Sequence, residues 1–129
     1  MDRTRYPGNK IGENEIEKIE GNCILNEHWK GSNGGTGSSY NYYDVKDSTW
    51  NPLWIDNSGN VLKLKGKLIK EGMMCLKSEP KKGKDNKFYS NQITWTLNQD
   101  QSVTQLWVVT NEQDSVTTTL FIGIYKKTA

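Results

Sequence analysis

The sequence predicts an all-β domain of antiparallel strands, wound up-and-down into a closed or nearly closed barrel around a small pocket. Three observations carry this expectation. No segment sustains helical periodicity; runs of about six to ten residues rich in β-branched and aromatic types recur instead, each followed by a turn cluster. The connections are too short for the crossover helices that parallel strands need. An open meander of many twisted strands would also expose two edges, which closure removes.

Taken in order, residues 1–10 read as an N-terminal tail or a truncated first strand, followed by strands at 12–19 and 22–30 around Glu20-Gly21. A Gly-rich loop, 31–37, precedes a strand at 38–44, a turn at 45–48 and a strand at 49–56. Asn57-Ser58-Gly59-Asn60 is a strong hairpin signal. A strand at 61–69, broken or bulged at Gly66, leads to one at 72–79. After a lysine-rich loop come strands at 88–97, 102–110 and 116–127, joined by turns at 98–101 and 111–115. About nine strands result, enough for a barrel whose interior holds side chains or one small ligand. The alternative architecture, a β-sandwich, would want longer Greek-key connections.

With 129 residues the chain fits one domain. Only 33% of them are hydrophobic, which suits a sheet with one wet face, where alternate residues suffice; five Trp and six Tyr supply large buried areas. A net charge of +2 lacks the basic excess of a nucleic-acid binder. The one basic cluster, Lys81, Lys82, Lys84 and Lys87, reads as a solvated hairpin loop. Cys23 and Cys75 form no CxxC pair and have no histidine nearby, so no metal site is expected. Neither a signal-peptide h-region nor an apolar run of about 20 residues is present, so the expectation is a cytoplasmic chain, with reduced thiols and no membrane partner.

Alternation nominates the residues of the pocket. A turn centred on Gln99-Asp100 sets Thr94 opposite Gln105, so that one face carries Gln92, Thr94, Thr96, Val103, Gln105, Trp107 and Val109. The other carries Ile93, Trp95, Leu97, Ser102, Thr104, Leu106 and Val108. A face mixing Gln, Thr and Trp suits a ligand cavity, where aromatic walls carry a few polar anchors; the alternative is that Thr94 and Gln105 face water. Cys23, Leu25, Glu27 and Trp29 share a face, as do Ser39, Asn41 and Tyr43, and Trp50, Pro52, Trp54 and Asp56. The candidate ligand-binding residues are therefore Glu27, Trp29, Ser39, Asn41, Tyr43, Trp50, Trp54, Thr94, Gln105 and Trp107. Inside such a pocket Glu27 would titrate upward and could accept a proton or balance a cationic ligand; on the surface it would salt-bridge across strands.

Other constellations carry no chemistry. His28, the sole histidine, lies on the opposite parity from Glu27 and Trp29, and neither a second ligand nor a nucleophile-elbow sequence accompanies it. The loop Gly31-Ser32-Asn33-Gly34-Gly35-Thr36-Gly37 lacks dinucleotide or P-loop spacing, and no helix follows, so it reads as a mobile connection or lid. No cofactor is expected.

Several stretches, in order, resemble a bacterial family of uncharacterised lipocalin-like proteins. They are Gly21-Asn22-Cys23 with Glu27-His28-Trp29, Gly37 through Asp44, and Trp50 and Trp54-Ile55-Asp56 with Gly59. They continue with Ile93-Thr94-Trp95-Thr96, Gln105-Leu106-Trp107 and Phe121-x-Gly123-x-Tyr125, so that the resemblance covers roughly residues 11–126. It implies a calycin-type barrel with a central cavity and carries no activity. Two departures stand out. Gln92 and Thr104 occupy positions that are usually basic, which weakens any role with an anionic ligand. Residues 1–6 replace a usual first strand, and a barrel missing a staff has edges that a second copy could fill, so a homodimer is expected.

Three functions follow as expectations. The first is a binding module holding a small hydrophobic or aromatic molecule against Trp29, Trp54 and Trp107. The second is an isomerase or hydrolase with Glu27 as general base. The third is a structural or interaction domain with a filled interior.

Overall fold

The computed structural model describes the backbone of residues 2–8 and residues 12–126. The strands are β1 (Asp2–Gly8), β2 (Gly12–Ile19), β3 (Ile24–Gly31), β4 (Thr36–Asp44), β5 (Thr49–Asp56), β6 (Val61–Lys63), β7 (Lys65–Lys70), β8 (Met73–Lys77), β9 (Lys81–Lys82), β10 (Phe88–Leu97), β11 (Val103–Thr110) and β12 (Val116–Tyr125). All belong to one antiparallel sheet in chain order, with the short β6 beside β5 and β9 beside β10. The expected β-sandwich alternative is therefore set aside. The sheet curls into a barrel-like trough, and its edge strands β1 and β12 approach each other without a connecting ladder. Among the described residues no helix is long and apolar enough to cross a membrane.

The nine expected strands are all present, one of them divided into β6 and β7. The division falls at Leu64 rather than at the expected Gly66. Leu64 turns inward to 7% exposure, and its amide still reaches the Pro52 carbonyl at 2.9 Å. The N-terminal segment differs more. Asp2–Gly8 forms a strand paired with β2 along its whole length, from Asp2 opposite Lys18 to Gly8 opposite Gly12. Of the two expectations for this segment, tail or truncated first strand, the strand is the one present; the sheet nonetheless keeps two unpaired edges, at β1 and β12.

One turn design recurs and sets the register. In the loops 31–35, 56–60, 83–87, 98–102 and 111–115, the first amide bonds the carbonyl four residues on, and the fourth amide bonds the first carbonyl. The fourth residue has positive φ in each: Gly34, Gly59, Asn86, Gln101 and Asp114, the glycine of 83–87 standing first instead. This is the three-residue hairpin, a type I turn closed by a left-handed residue. Asx caps reinforce it: Asn111 Oδ1 accepts from the amides of Gln113 and Ser115, both at 3.0 Å. The lysine-rich segment is such a hairpin, with Lys82 opposite Phe88.

Because the 98–102 loop holds three residues between its paired ends, Leu97 pairs with Val103 and Trp95 with Gln105. The expected two-centred turn put Thr94 opposite Gln105. A slip of one residue exchanges the faces of a strand. Trp95 and Ile93 therefore face the concave side, and Thr94 and Gln92 the convex side. The concave face holds a small core of Leu64, Leu76 and Ile93, against which Trp50, Leu62, Met74, Trp95 and Trp107 pack.

Candidate functional site

Beside that core the trough encloses a cavity of about 290 Å³. Register brings its walls together. Glu27, Ser39 and Trp54 stand side by side across β3, β4 and β5, with Leu25, Asn41 and Pro52 in the next row. On the facing strands Trp95 pairs with Gln105, and Gln105 with Gly123. Trp29, Trp54, Trp95 and Trp107 supply the aromatic walls, Phe121 and Tyr125 come from β12, and Leu64, Leu76 and Ile93 close the inner end. Gly35, Thr36, Asn57 and Ser58 form the lip.

Glycine makes room for the indoles. A Cβ on Gly37 would lie 2.2 Å from Trp54 Cη2, so the ring can lie flat over β4 only because that side chain is absent. Trp29 and Trp54 then meet edge to face, centroids 6.4 Å apart, and Trp95 tilts against Tyr125 at 6.0 Å. The indole N–H of Trp107 donates to Asn91 Oδ1 at 3.0 Å, which satisfies its polar edge.

The polar part of the wall centres on Glu27. Asn14 Nδ2 donates to its Oε2 at 2.5 Å and Ser39 Oγ donates to its Oε1 at 2.8 Å. Asn41 Nδ2 in turn donates to Ser39 Oγ at 2.8 Å and to the Leu25 carbonyl at 2.9 Å, holding the serine lone pairs in place. Asn14 and Ser39 are 1% and 2% exposed, so the carboxyl is gripped from behind and its remaining surface opens to the cavity. Burial raises the Glu27 pKa above the ordinary carboxylate range, against the opposing pull of the Ser39 and Asn14 bonds and the His28 charge. Across the trough Tyr125 Oη donates to Gln105 Oε1 at 3.0 Å. Its phenol is pushed up to about 12, first by burial and then by the charge of Glu27, while a hydrogen bond from Trp29 works the other way.

The raised pKa makes a stability prediction. A native carboxyl with raised pKa binds its proton more tightly than the unfolded chain does, so stability falls as pH rises from about 4.5, the ordinary value of a glutamate, through the native pKa. Glu27→Gln removes this loss. Its amide can accept from Ser39 and donate to Asn14 Oδ1, which is buried without a hydrogen-bond partner among the described residues. The melting temperature of the variant minus that of the wild type should therefore grow with pH across this interval and then level off. Parallel curves from pH 4 to 8 would show that Glu27 is not buried in this way.

Seven of the ten nominated residues meet in the cavity: Glu27, Trp29, Ser39, Asn41, Trp54, Gln105 and Trp107. Tyr43 and Trp50 share the concave face but lie beyond the cavity. Their rings tilt against each other with centroids 5.2 Å apart, and Trp50 packs on the core. Thr94 lies on the convex side, opposite Cys75, for the register reason given above. Asn14, Trp95 and Tyr125 belong to the site and were not nominated. Pairing β2 with β3 would have placed Asn14 beside Trp29, and the parity of Phe121-x-Gly123-x-Tyr125 opposite Gln105 carries the signal for Tyr125.

The Gly-rich loop is pinned to the next lip. Asn57 donates its amide to the Thr36 carbonyl at 2.9 Å and accepts from the Thr36 amide at 3.2 Å, and its Nδ2 reaches the Gly34 carbonyl at 3.3 Å. On the convex face Glu15, His28 and Ser38 fall in register across three strands, with His28 Nδ1 and Ser38 Oγ 3.3 Å apart. His28 is exposed and Glu15 and Ser38 are half-buried, and the row faces away from the cavity, so it lacks the enclosed pocket a nucleophilic site needs. Cys23 and Cys75 are free thiols. Among the described residues no group of His, Cys, Asp and Glu could hold a metal ion. No family model matches this chain, and no curated protein matches it.

Proposed function

We propose that this protein is a lipocalin-like binding module that holds a small, partly hydrophobic molecule in its cavity. The observation that carries the reading is the cavity's composition: four indoles and an aliphatic inner end, with Glu27, Ser39, Asn41 and Gln105 as a few convergent polar groups. Its volume of about 290 Å³ suits a small ligand rather than a long lipid chain. The setting is the cytoplasm, and neither nucleic acid nor membrane is a partner. Tryptophan emission should shift or quench when aromatic and aliphatic small molecules are titrated in, with a matching rise in melting temperature for the ligands that bind. A panel spanning neutral, acidic and basic compounds that moves neither signal would defeat the proposal and favour a structural role.

A second reading, catalysis with Glu27 as general base, is favoured by one feature. The carboxyl reaches the cavity, and burial moves its pKa toward the range where a base works at neutral pH. It requires a bound ligand with an acidic C–H within reach. Exchange of that hydrogen in heavy water, present for the wild type and absent for Glu27→Gln, distinguishes this enzyme from a simple carrier.

A further inference from the structure

The charge pattern of the cavity narrows what can enter it. Two charged side chains, Glu27 and Asp56, are found among the described residues that line it, and both are acidic. Asp56 spends its oxygens on the turn at the lip, accepting from the amides of Ser58 at 2.9 Å and Asn60 at 3.0 Å and from Asn60 Nδ2 at 2.9 Å. Those bonds hold it ionised at the entrance. Glu27 lies deeper. Its two oxygens are held by neutral donors, Asn14 and Ser39, and it has no ion-pair partner among the described residues. His28 points to the other face of β3.

A buried carboxylate without a countercharge is costly. Here it lies in a chamber walled by Trp29, Trp54, Trp95 and Trp107, whose ring faces attract cations. Positively charged donors for an anion are lacking, because no lysine or arginine lines the chamber among the described residues. Among the described residues a metal ion finds too few ligands. With a neutral guest Glu27 must either hold a proton, as its raised pKa favours, or stay ionised and uncompensated; a cation lets it ionise without that cost.

Resting on the reading of the cavity as a binding site, we propose that its ligand is an organic cation. An ammonium or quaternary ammonium head would sit against Glu27, with an apolar or aromatic body among the tryptophans. Asp56 at the lip adds attraction on entry. Gln105 and Tyr125, bonded to each other, line the opposite wall and offer further oxygen atoms to the polar head.

The test uses three probes of similar size: benzyltrimethylammonium, its uncharged carbon isostere neopentylbenzene, and the anion phenylacetate. Each is titrated into the whole protein and followed by tryptophan fluorescence. The cation should bind roughly tenfold more tightly than the isostere, a ratio matching one desolvated cation–aromatic and carboxylate contact, and phenylacetate should not bind. In Glu27→Gln the ratio should fall toward one while the isostere still binds. If the isostere matches or exceeds the cation in the wild type, or if phenylacetate binds best, the cationic assignment fails while the cavity remains a binding site. A ratio unchanged in Glu27→Gln also overturns it. If none of the three binds, both this inference and the binding-module reading fail. The wild-type comparison needs no variant, so it decides even if Glu27→Gln folds poorly.

Discussion

Gly66→Ala is expected to destabilise the fold by about 3 kcal/mol, near the upper end of overpacking costs. A Cβ at this position would lie 1.8 Å from the Cys75 carbonyl oxygen, 2.8 Å from its carbon and 2.9 Å from the Leu76 Cα. All three are backbone atoms, so no rotamer change relieves the clash. The only response is to part β7 from β8. Gly66 pairs with Trp50 on one side and Leu76 on the other, so the displacement reaches two ladders at once. Gly37 makes an instructive contrast, since its missing Cβ would meet the far end of the Trp54 ring, which can swing into the cavity. Urea unfolding measures the difference: the midpoint should fall with little change in slope. A variant within about 0.5 kcal/mol of wild type would mean that the two strands are not so closely apposed.

Leu76→Ala should cost about 2–5 kcal/mol, as large-to-small changes in a tight core do. Leu76 is 3% exposed and touches the other two members of the core, Leu64 and Ile93. It stands opposite Gly66 in one ladder and Ile93 in the other, so few neighbours can collapse into the space. Because Leu76 also closes the inner end of the cavity, the same substitution should enlarge it and admit bulkier guests. Denaturant titration and binding of a size-graded ligand series read the two effects separately. A loss below about 1 kcal/mol would place the core elsewhere. Gly66 and Leu76 are direct neighbours, so the double variant should lose less than the two single losses together.

The strands were legible because each is a β-branched or aromatic run bounded by turn residues, and the expected 12–19, 49–56 and 88–97 coincide with β2, β5 and β10. The face of a strand was legible only where its turn was read correctly. Asn57-Ser58-Gly59-Asn60 advertises its left-handed residue with a glycine; Gln101 takes the same conformation at φ 70° with nothing in its residue type to announce it. That one residue moved Thr94 out of the cavity and Trp95 into it. Tyr43 and Trp50 show a different limit. Parity put them on the correct face, but parity says nothing of height along the trough, and they lie past the end of the cavity. The N-terminal segment stayed undecided between tail and truncated strand because a stretch containing Arg3, Arg5 and Pro7 lacks an alternating apolar pattern. Full pairing with β2 makes it a strand all the same.

The sequence by itself determined that the protein is an antiparallel sheet with short connections, and that Glu27 shares a strand face with Trp29, and Trp50 one with Trp54. Period-two alternation and local turn chemistry suffice for both, since each acts over a few residues. Only the tertiary structure decided that Glu27 of β3 would lie near Tyr125 of β12, with Asn14 of β2 behind it. Those three residues come together through the curl of the whole sheet, and curl accumulates from the twist of every strand pair rather than residing in any one segment.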